Sequence, residues 1–293
     1  MNTTHDHEHE RHTNGHTNGQ GRGSAASTAR PGAPTSQLHH AVAELGTILS
    51  VWAHPDDETY LAAGVMAAAR DNGQRVVCVS ATAGEHATSD PATWPPDRLG
   101  RVRRWEAAAA MAVLGVDEHR FLGYEDGALT ADDPHGVARI EDLLDEIRPD
   151  TVLTFGADGM TFHPDHIAVH HWVTSAWHRR GCQGRVLYAT VSHDFLERFR
   201  DQFEEWDMYM SDERPTGVPV DQLAVHTHLA GIHLDRKLTA LRAMTTQTAG
   251  LIAMLDEQTY ADQVAEEAFV AAPSVGAREP EHVLGHVVQD HLL

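Results

Sequence analysis

Short apolar runs alternate along this chain with stretches of helical periodicity, and no other feature restricts the fold as much. From Gly46 to Ala53, the residues Ile48, Leu49, Val51 and Trp52 form one nearly continuous apolar run, the pattern of a strand buried on both faces. Leu61, Val65, Met66 and Ala69 then recur at helical spacing until Asn72-Gly73 stops them, and Arg75 to Ala81 reads as a second strand. An Ala-rich helix follows from about Arg98 to Leu114 and ends at Gly115. The next carries Val137, Ile140, Leu143, Leu144 and Ile147 on one face and stops at Pro149. Thr151 to Phe155 is a third strand, Ile167 to Arg180 a helix with Val169, Val173 and Trp177 four apart, and Arg185 to Val191 a fourth strand. Strands separated by helices pair in parallel, because each crossover returns the chain to the same end of the sheet. The expected class is α/β.

The length of 293 residues suits one large domain, expected over residues 38–293. Residues 1–37 are rich in His, Thr, Asn, Gly, Ser and Pro and have almost no large apolar side chain. Such a segment cannot offset its ordering entropy by burial, so it is expected to be a disordered tail. Lys and Arg number 22 against 43 Asp and Glu, and the net charge of -21 repels a phosphate backbone, which excludes nucleic acid as a partner. The two cysteines, Cys78 and Cys182, form neither a disulfide framework nor a C-x-x-C pair. No run of eighteen apolar residues occurs and the first residues have no apolar leader core, so a cytoplasmic protein without membrane insertion is expected. Between Asp194 and Pro219, Phe195, Phe199, Phe203, Trp206 and Tyr209 recur at helical spacing, either as packing or as a cover over a site.

Two sequence motifs carry chemistry. Ala53-His54-Pro55-Asp56-Asp57-Glu58 falls where the first strand gives way to a helix, and His163-Pro164-Asp165-His166 follows the third strand and again opens a helix. Three acids beside a histidine repel one another unless a cation offsets them. In a parallel sheet the carboxyl ends of strands lie on one edge, so two loops far apart in sequence meet there and share one ion. Together they supply imidazoles and carboxylates, the donors of a divalent transition metal.

With both motifs in place, the chain resembles the LmbE-like and N-acetylglucosaminyl-phosphatidylinositol de-N-acetylase (PIG-L) family, which includes deacetylases and amidases of mycothiol and bacillithiol metabolism. The likeness runs from about residue 45 to 270. It includes Gly84-Glu85, Arg103 and Glu106, Phe121-Leu122-Gly123, Asp126-Gly127, Arg148-Pro149-Asp150, Lys237, Ala240-Leu241, Thr246-Gln247 and Glu267-Ala268-Phe269. The resemblance implies a Rossmann-like, mostly parallel sheet with helices on both faces. It also implies one catalytic Zn2+ per chain, held by His54, Asp57 and His166, with a fourth position left for water. By the same resemblance Asp56 is the general base, and His163 stabilises the tetrahedral intermediate or protonates the departing amine. Asp165 is either an acceptor that orients a ligand imidazole or a helix cap, and Glu58 has the same two roles open. Arg103 and Asp126 match positions that contact substrate in relatives.

The expected reaction is zinc-dependent removal of an N-acetyl or other N-acyl group from an amino sugar or a sugar-linked small molecule. An amidase acting on a larger acyl conjugate is the near alternative; a metal-binding protein without catalysis, using the histidines of the tail, is the distant one. A nucleotide-binding module is excluded, since neither G-x-G-x-x-G nor G-x-x-x-x-G-K-[ST] stands where a phosphate loop belongs. Two positions depart from the family: Thr161 stands where several relatives have a tyrosine, and Met244 where a histidine is common.

Overall fold

The computed structural model describes residues 34–273; whatever was expected of residues 1–33 or 274–293 lies outside them. In chain order the elements are α1 (Pro34–Ala43), β1 (Ile48–Trp52), α2 (Asp57–Asp71), β2 (Val76–Ser80), α3 (Pro96–Leu114), β3 (Glu118–Phe121), α4 (Pro134–Ile147) and β4 (Thr151–Phe155). They continue with α5 (Pro164–Arg179), β5 (Arg185–Thr190), α6 (His193–Glu205), β6 (Val225–His228), α7 (Ile232–Ala243), α8 (Thr245–Met254), α9 (Glu257–Val264) and β7 (Glu266–Ala271). Helix α1 begins at Pro34, inside the segment expected to be a tail. Leu38 and Val42 are buried in the core and tie the helix down.

The strands form one sheet in the order β3-β2-β1-β4-β5-β7-β6. From β3 to β5 every pairing is parallel, while β7 runs antiparallel to both β5 and β6. β1, β2 and β4 are buried along their whole length, which explains why they are mainly apolar and carry only the small polar residues Ser50, Ser80, Thr151 and Thr154. Helices α1, α2, α3 and α7 pack together as one layer and α4 with α5 as another, and β1 is touched by both α2 and α5. The sheet is thus covered on both faces, and the chain has the expected α/β, Rossmann-like architecture.

The sheet is extended from β1 towards β2 and β3 on one side, and from β4 towards β5 on the other. Between β1 and β4 the strand order therefore reverses, and the crossovers leave a crevice at the carboxyl ends of these two strands. His54 follows β1 and His163 to His166 follow β4, so both motifs open onto that crevice.

Candidate active site

At the end of β1 the chain turns sharply into α2. Asp56 holds φ 131°, a conformation that costs a non-glycine residue energy and persists only where its surroundings enforce it. Three contacts enforce it. Arg103 Nη2 donates to the Pro55 carbonyl at 2.5 Å, its Nη1 donates to the Gly84 carbonyl at 2.7 Å, and the Asp56 amide donates to Glu58 Oε2 at 3.1 Å. Gly84 is needed at its position because its φ is +61° and a Cβ there would stand 1.7 Å from Arg103 Nη1.

After β4, Pro164 opens α5, and His163 caps it by accepting the Asp165 amide on Nδ1 at 3.1 Å. This leaves the proton of a neutral His163 on Nε2. The carbonyl of Gly159 accepts from His166 Nδ1 at 2.8 Å, so the His166 lone pair lies on Nε2. Gly159, at φ +59°, carries no Cβ that would meet His166 Cβ at 2.7 Å. Phe155 stacks on the His166 ring at 4.1 Å and 10°, fixing its plane.

The two loops meet. His54 Nδ1 lies 3.1 Å from His166 Nε2 and 3.6 Å from Asp57 Oδ2, and His166 Nε2 lies 3.4 Å from Asp57 Oδ1. Ligand atoms around a tetrahedral zinc, at about 2.0–2.2 Å from the ion, stand about 3.4 Å apart. The three side chains thus have the spacing of one coordination sphere. The ring nitrogens of His54, His163 and His166 also lie within 4.8 Å of one another. On the far side of His54, Nε2 lies 3.1 Å from Asp126 Oδ1 and 3.2 Å from Asp165 Oδ2, which places its proton there and turns Nδ1 towards the shared point.

The electrostatics agree with the geometry. Burial alone would lower the His54 pKa, but hydrogen bonds to Asp126 and Asp165 and the charge of Asp57 outweigh it and raise it to about 10. Burial and the charge on His54 push His166 down to about 3. The carboxylates therefore demand one positive charge, while the neighbouring imidazole stays neutral with its lone pair aimed at the same spot. That combination suits a bound cation, and the donor set fits a transition metal rather than calcium or magnesium. Asp56 is raised to about 6 by burial and by Asp57, against the lowering effect of Arg103 and His54. Glu58, fully buried, is raised to about 8, first by burial.

His54, Asp56, Asp57, His163, Asp165 and His166 are thus brought to one crevice. Asp165 does not cap α5: it accepts the Gly127 and Leu129 amides at 2.8 and 3.2 Å while facing His54. Arg103, expected to touch substrate, is 2 % exposed and engaged by Pro55, Gly84 and Asp56, the last at 3.4 Å, so it supports the acid from beneath. Asp126 likewise faces His54, and its carboxylate, held down to about 2 chiefly by His54 against burial, also accepts the His86 amide. The residue motifs gave no sign of the Gly159 carbonyl or the Phe155 ring. Beside Asp57 and His166 opens a cavity of about 380 Å3, walled by Phe195, Phe203, Trp206, Met208 and Tyr209 from α6 and the segment after it.

The family model described as GlcNAc-PI de-N-acetylase (PIG-L) matches residues 49–177, which span both motifs. A 1D-myo-inositol 2-acetamido-2-deoxy-alpha-D-glucopyranoside deacetylase of Saccharomonospora viridis is 32 % identical over 228 residues, covering 68 % of this chain and 84 % of the relative. Among solved structures, the N,N'-diacetylchitobiose deacetylase of Pyrococcus horikoshii aligns over 80 % of this chain and 87 % of its own at a TM-score of 0.54 and 19 % identity. A 4-carboxy-2-hydroxymuconate hydratase of Pseudomonas putida aligns over 80 % of this chain and all of its own at 0.52 and 18 % identity. The fold is thus shared with a hydratase and does not by itself set the reaction. Sequence likeness decides the class: the chain is an N-deacetylase-type hydrolase. It belongs to the PIG-L family.

Proposed function

We propose that this chain is a zinc-dependent N-deacetylase that removes acetate from the nitrogen of an amino sugar or a sugar-linked metabolite, with one zinc per chain held by His54, Asp57 and His166. The observation that carries the proposal is the 3.1–3.6 Å spacing of donor atoms on three side chains from two distant loops, with the second nitrogen of each imidazole already engaged. The amino-sugar part rests on the relative's substrate, an acetamido sugar linked to inositol.

In this scheme Asp56 accepts the proton of the attacking water. Its pKa near 6 leaves it mostly ionised at neutral pH yet basic enough to take a proton. The amide carbonyl gains charge as water adds, and His163 Nε2–H donates to that oxygen, its tautomer set by the Asp165 amide on Nδ1. Asp126 and Asp165 hold the His54 ring so that Nδ1 does not swing away. The metal, when bound, supplies Lewis acidity to the water and to the carbonyl oxygen. The proton on Asp56 then passes to the departing amine, leaving the free amino sugar and acetate. Thr161 lines the cavity at the position where relatives have a tyrosine, and His163 then carries the oxyanion without that hydroxyl.

The test is to incubate zinc-loaded protein with a panel of N-acetylated amino-sugar glycosides and to measure acetate and primary amine together. Release of both in equal amounts, lost on chelation and restored by zinc, is the expected result. Metal-replete protein that releases neither from any member would remove the proposal.

The cavity favours a larger acyl group as a second possibility. Its walls are aromatic and apolar, a poor match for an acetyl methyl alone and a good one for an alkyl or aryl chain. With N-acyl substrates of increasing chain length, kcat/KM is then expected to rise from acetyl to octanoyl. Trp206→Ala should flatten that rise while leaving acetyl turnover in place; a flat series in the native enzyme counts against the larger acyl group.

A further inference from the structure

Helix α2 carries Asp57 in its first turn and Asp71 as its last residue, about 21 Å further along its axis. At that far end it meets α1 and α7, and a second group of donors gathers there. One ligand atom each from His39 of α1, Asp71 of α2 and His233 of α7 lies within 4.8 Å of the others.

The histidines are poorly explained by packing. His233 is only 6 % exposed, and both of its ring nitrogens are buried with no hydrogen-bond partner among the described residues. His39 stands 2.9 Å by Nδ1 from Asn72 Oδ1; an amide oxygen only accepts, so Nδ1 carries the proton and the lone pair is on Nε2. That Nε2 is also buried and without a partner among the described residues. The two rings stand 5.2 Å apart at 55°, without a hydrogen bond between them. A helix junction that needed only apolar contact has no use for two imidazoles of which three of the four ring nitrogens are buried without a partner among the described residues. Asp71 Oδ2 accepts from Arg236 at 2.8 Å, which leaves its other oxygen available.

We infer that His39, Asp71 and His233 form a second zinc site, separate from the catalytic cluster, that clips α1 to α2 and α7. Two imidazole nitrogens and one carboxylate oxygen suit zinc and exclude calcium and magnesium, which take oxygen donors. Arg236 shares the carboxylate and repels a cation, so this site binds more weakly than the catalytic one and fills second. An ion there would join the first described helix to the body of the domain, which makes the site a means of stabilising the fold and not a means of turnover.

The experiment compares the full-length chain with full-length His39→Ala/His233→Ala. After equilibration with zinc sulfate and gel filtration, zinc per chain is measured by atomic emission, and thermal melting is followed across a zinc titration. Both proteins keep the catalytic ligands and the histidines before residue 34, so the difference reads this site alone. The variant is expected to hold one zinc fewer, to lose the melting increase seen at the higher zinc concentrations, and to keep native turnover once its catalytic zinc is loaded. Asp71→Asn alters only a partly exposed carboxylate and keeps the test usable if the double variant does not fold. It is expected to weaken the second zinc by at least about tenfold, since even loss of a partner that merely orients a ligand costs about 10–100-fold. Equal zinc content in native and variant chains, or an unchanged second affinity in Asp71→Asn, overturns the inference. So would a native chain that never exceeds the variant because a trapped water satisfies the two rings.

Discussion

Asp56→Asn separates proton transfer from metal binding more cleanly than any other single change. The substitution keeps shape and leaves the backbone amide free to donate to Glu58, but the side chain no longer takes a proton. A positioned general base contributes about 10²–10⁴-fold, so kcat/KM should fall by that factor, equal to about 3–5 kcal/mol of transition-state stabilisation. Zinc content should not change, because the donor atoms that converge belong to the side chains of His54, Asp57 and His166. The pH profile adds a second readout. As the proposed base Asp56 would work only when ionised, so activity is expected above its pKa and is expected to be lost as pH falls through it. Burial sets that pKa near 6, and a bound cation favours the carboxylate and lowers it further. The native enzyme should therefore show an acid limb at or below about pH 6, and the residual activity of the Asn variant should lack it. The assay is steady-state acetate release from pH 4.5 to 8 with metal content measured on the same samples. An Asn variant within tenfold of native kcat/KM, or one that loses its zinc, would refute the assignment.

Two further outcomes test the surrounding structure. Asp165→Asn keeps one acceptor oxygen where the carboxylate offers two, so one of the Gly127 and Leu129 amides loses its partner, and the charge that holds His54 Nε2 is removed. Titration calorimetry should show catalytic zinc bound about 10–100-fold less tightly, and unchanged affinity would mean that Asp126 orients the ring alone. Lys237 and Glu267 form a fully buried pair in which Glu267 also accepts the Gly64 and Val65 amides. Lys237→Met strands that carboxylate and should lower urea stability by about 3–5 kcal/mol, with part of the loss recovered in Lys237→Met/Glu267→Gln.

The legible part of the fold was the part buried on both faces. Ile48–Trp52, Val76–Ser80 and Thr151–Phe155 have no solvent side, so their sequences contain no charged residue and their boundaries follow closely. β3 (EHRF) and β6 (VHTH) lie at the two edges of the sheet, half wet, and have no comparable run. β7 starts with two glutamates, and nothing in the order of residues reveals that Glu267 is turned inward onto two amides and a lysine. The site divides in the same way. The His and Asp residues of the two motifs were legible because each motif sits at a strand end and the sheet puts both ends on one edge. Arg103 and Asp126 were legible as residues and not as roles. Each comes from a different loop or helix, and whether such a side chain faces substrate or a neighbouring carboxylate or imidazole is settled by tertiary packing.

The aromatic stripe after β5 shows where periodicity stops informing. Spacing places Phe195, Phe199 and Phe203 on one helix but does not say what that side of the helix meets. In the structure, α6 buries only Leu196 and Phe199, which is enough to dock it. Phe195 and Phe203, with Trp206, Met208 and Tyr209 beyond the helix, stay half-buried around the cavity that reaches Asp57 and His166. A chain gains nothing from keeping five large apolar side chains partly wet next to a reaction centre unless something apolar covers them in the working state. Under the proposed function, the cluster of His54, Asp57 and His166 with Asp56 handles the amide, and this wall faces what the amide carries. Specificity in this protein is therefore expected to follow the apolar substituent of the substrate more closely than its sugar hydroxyls.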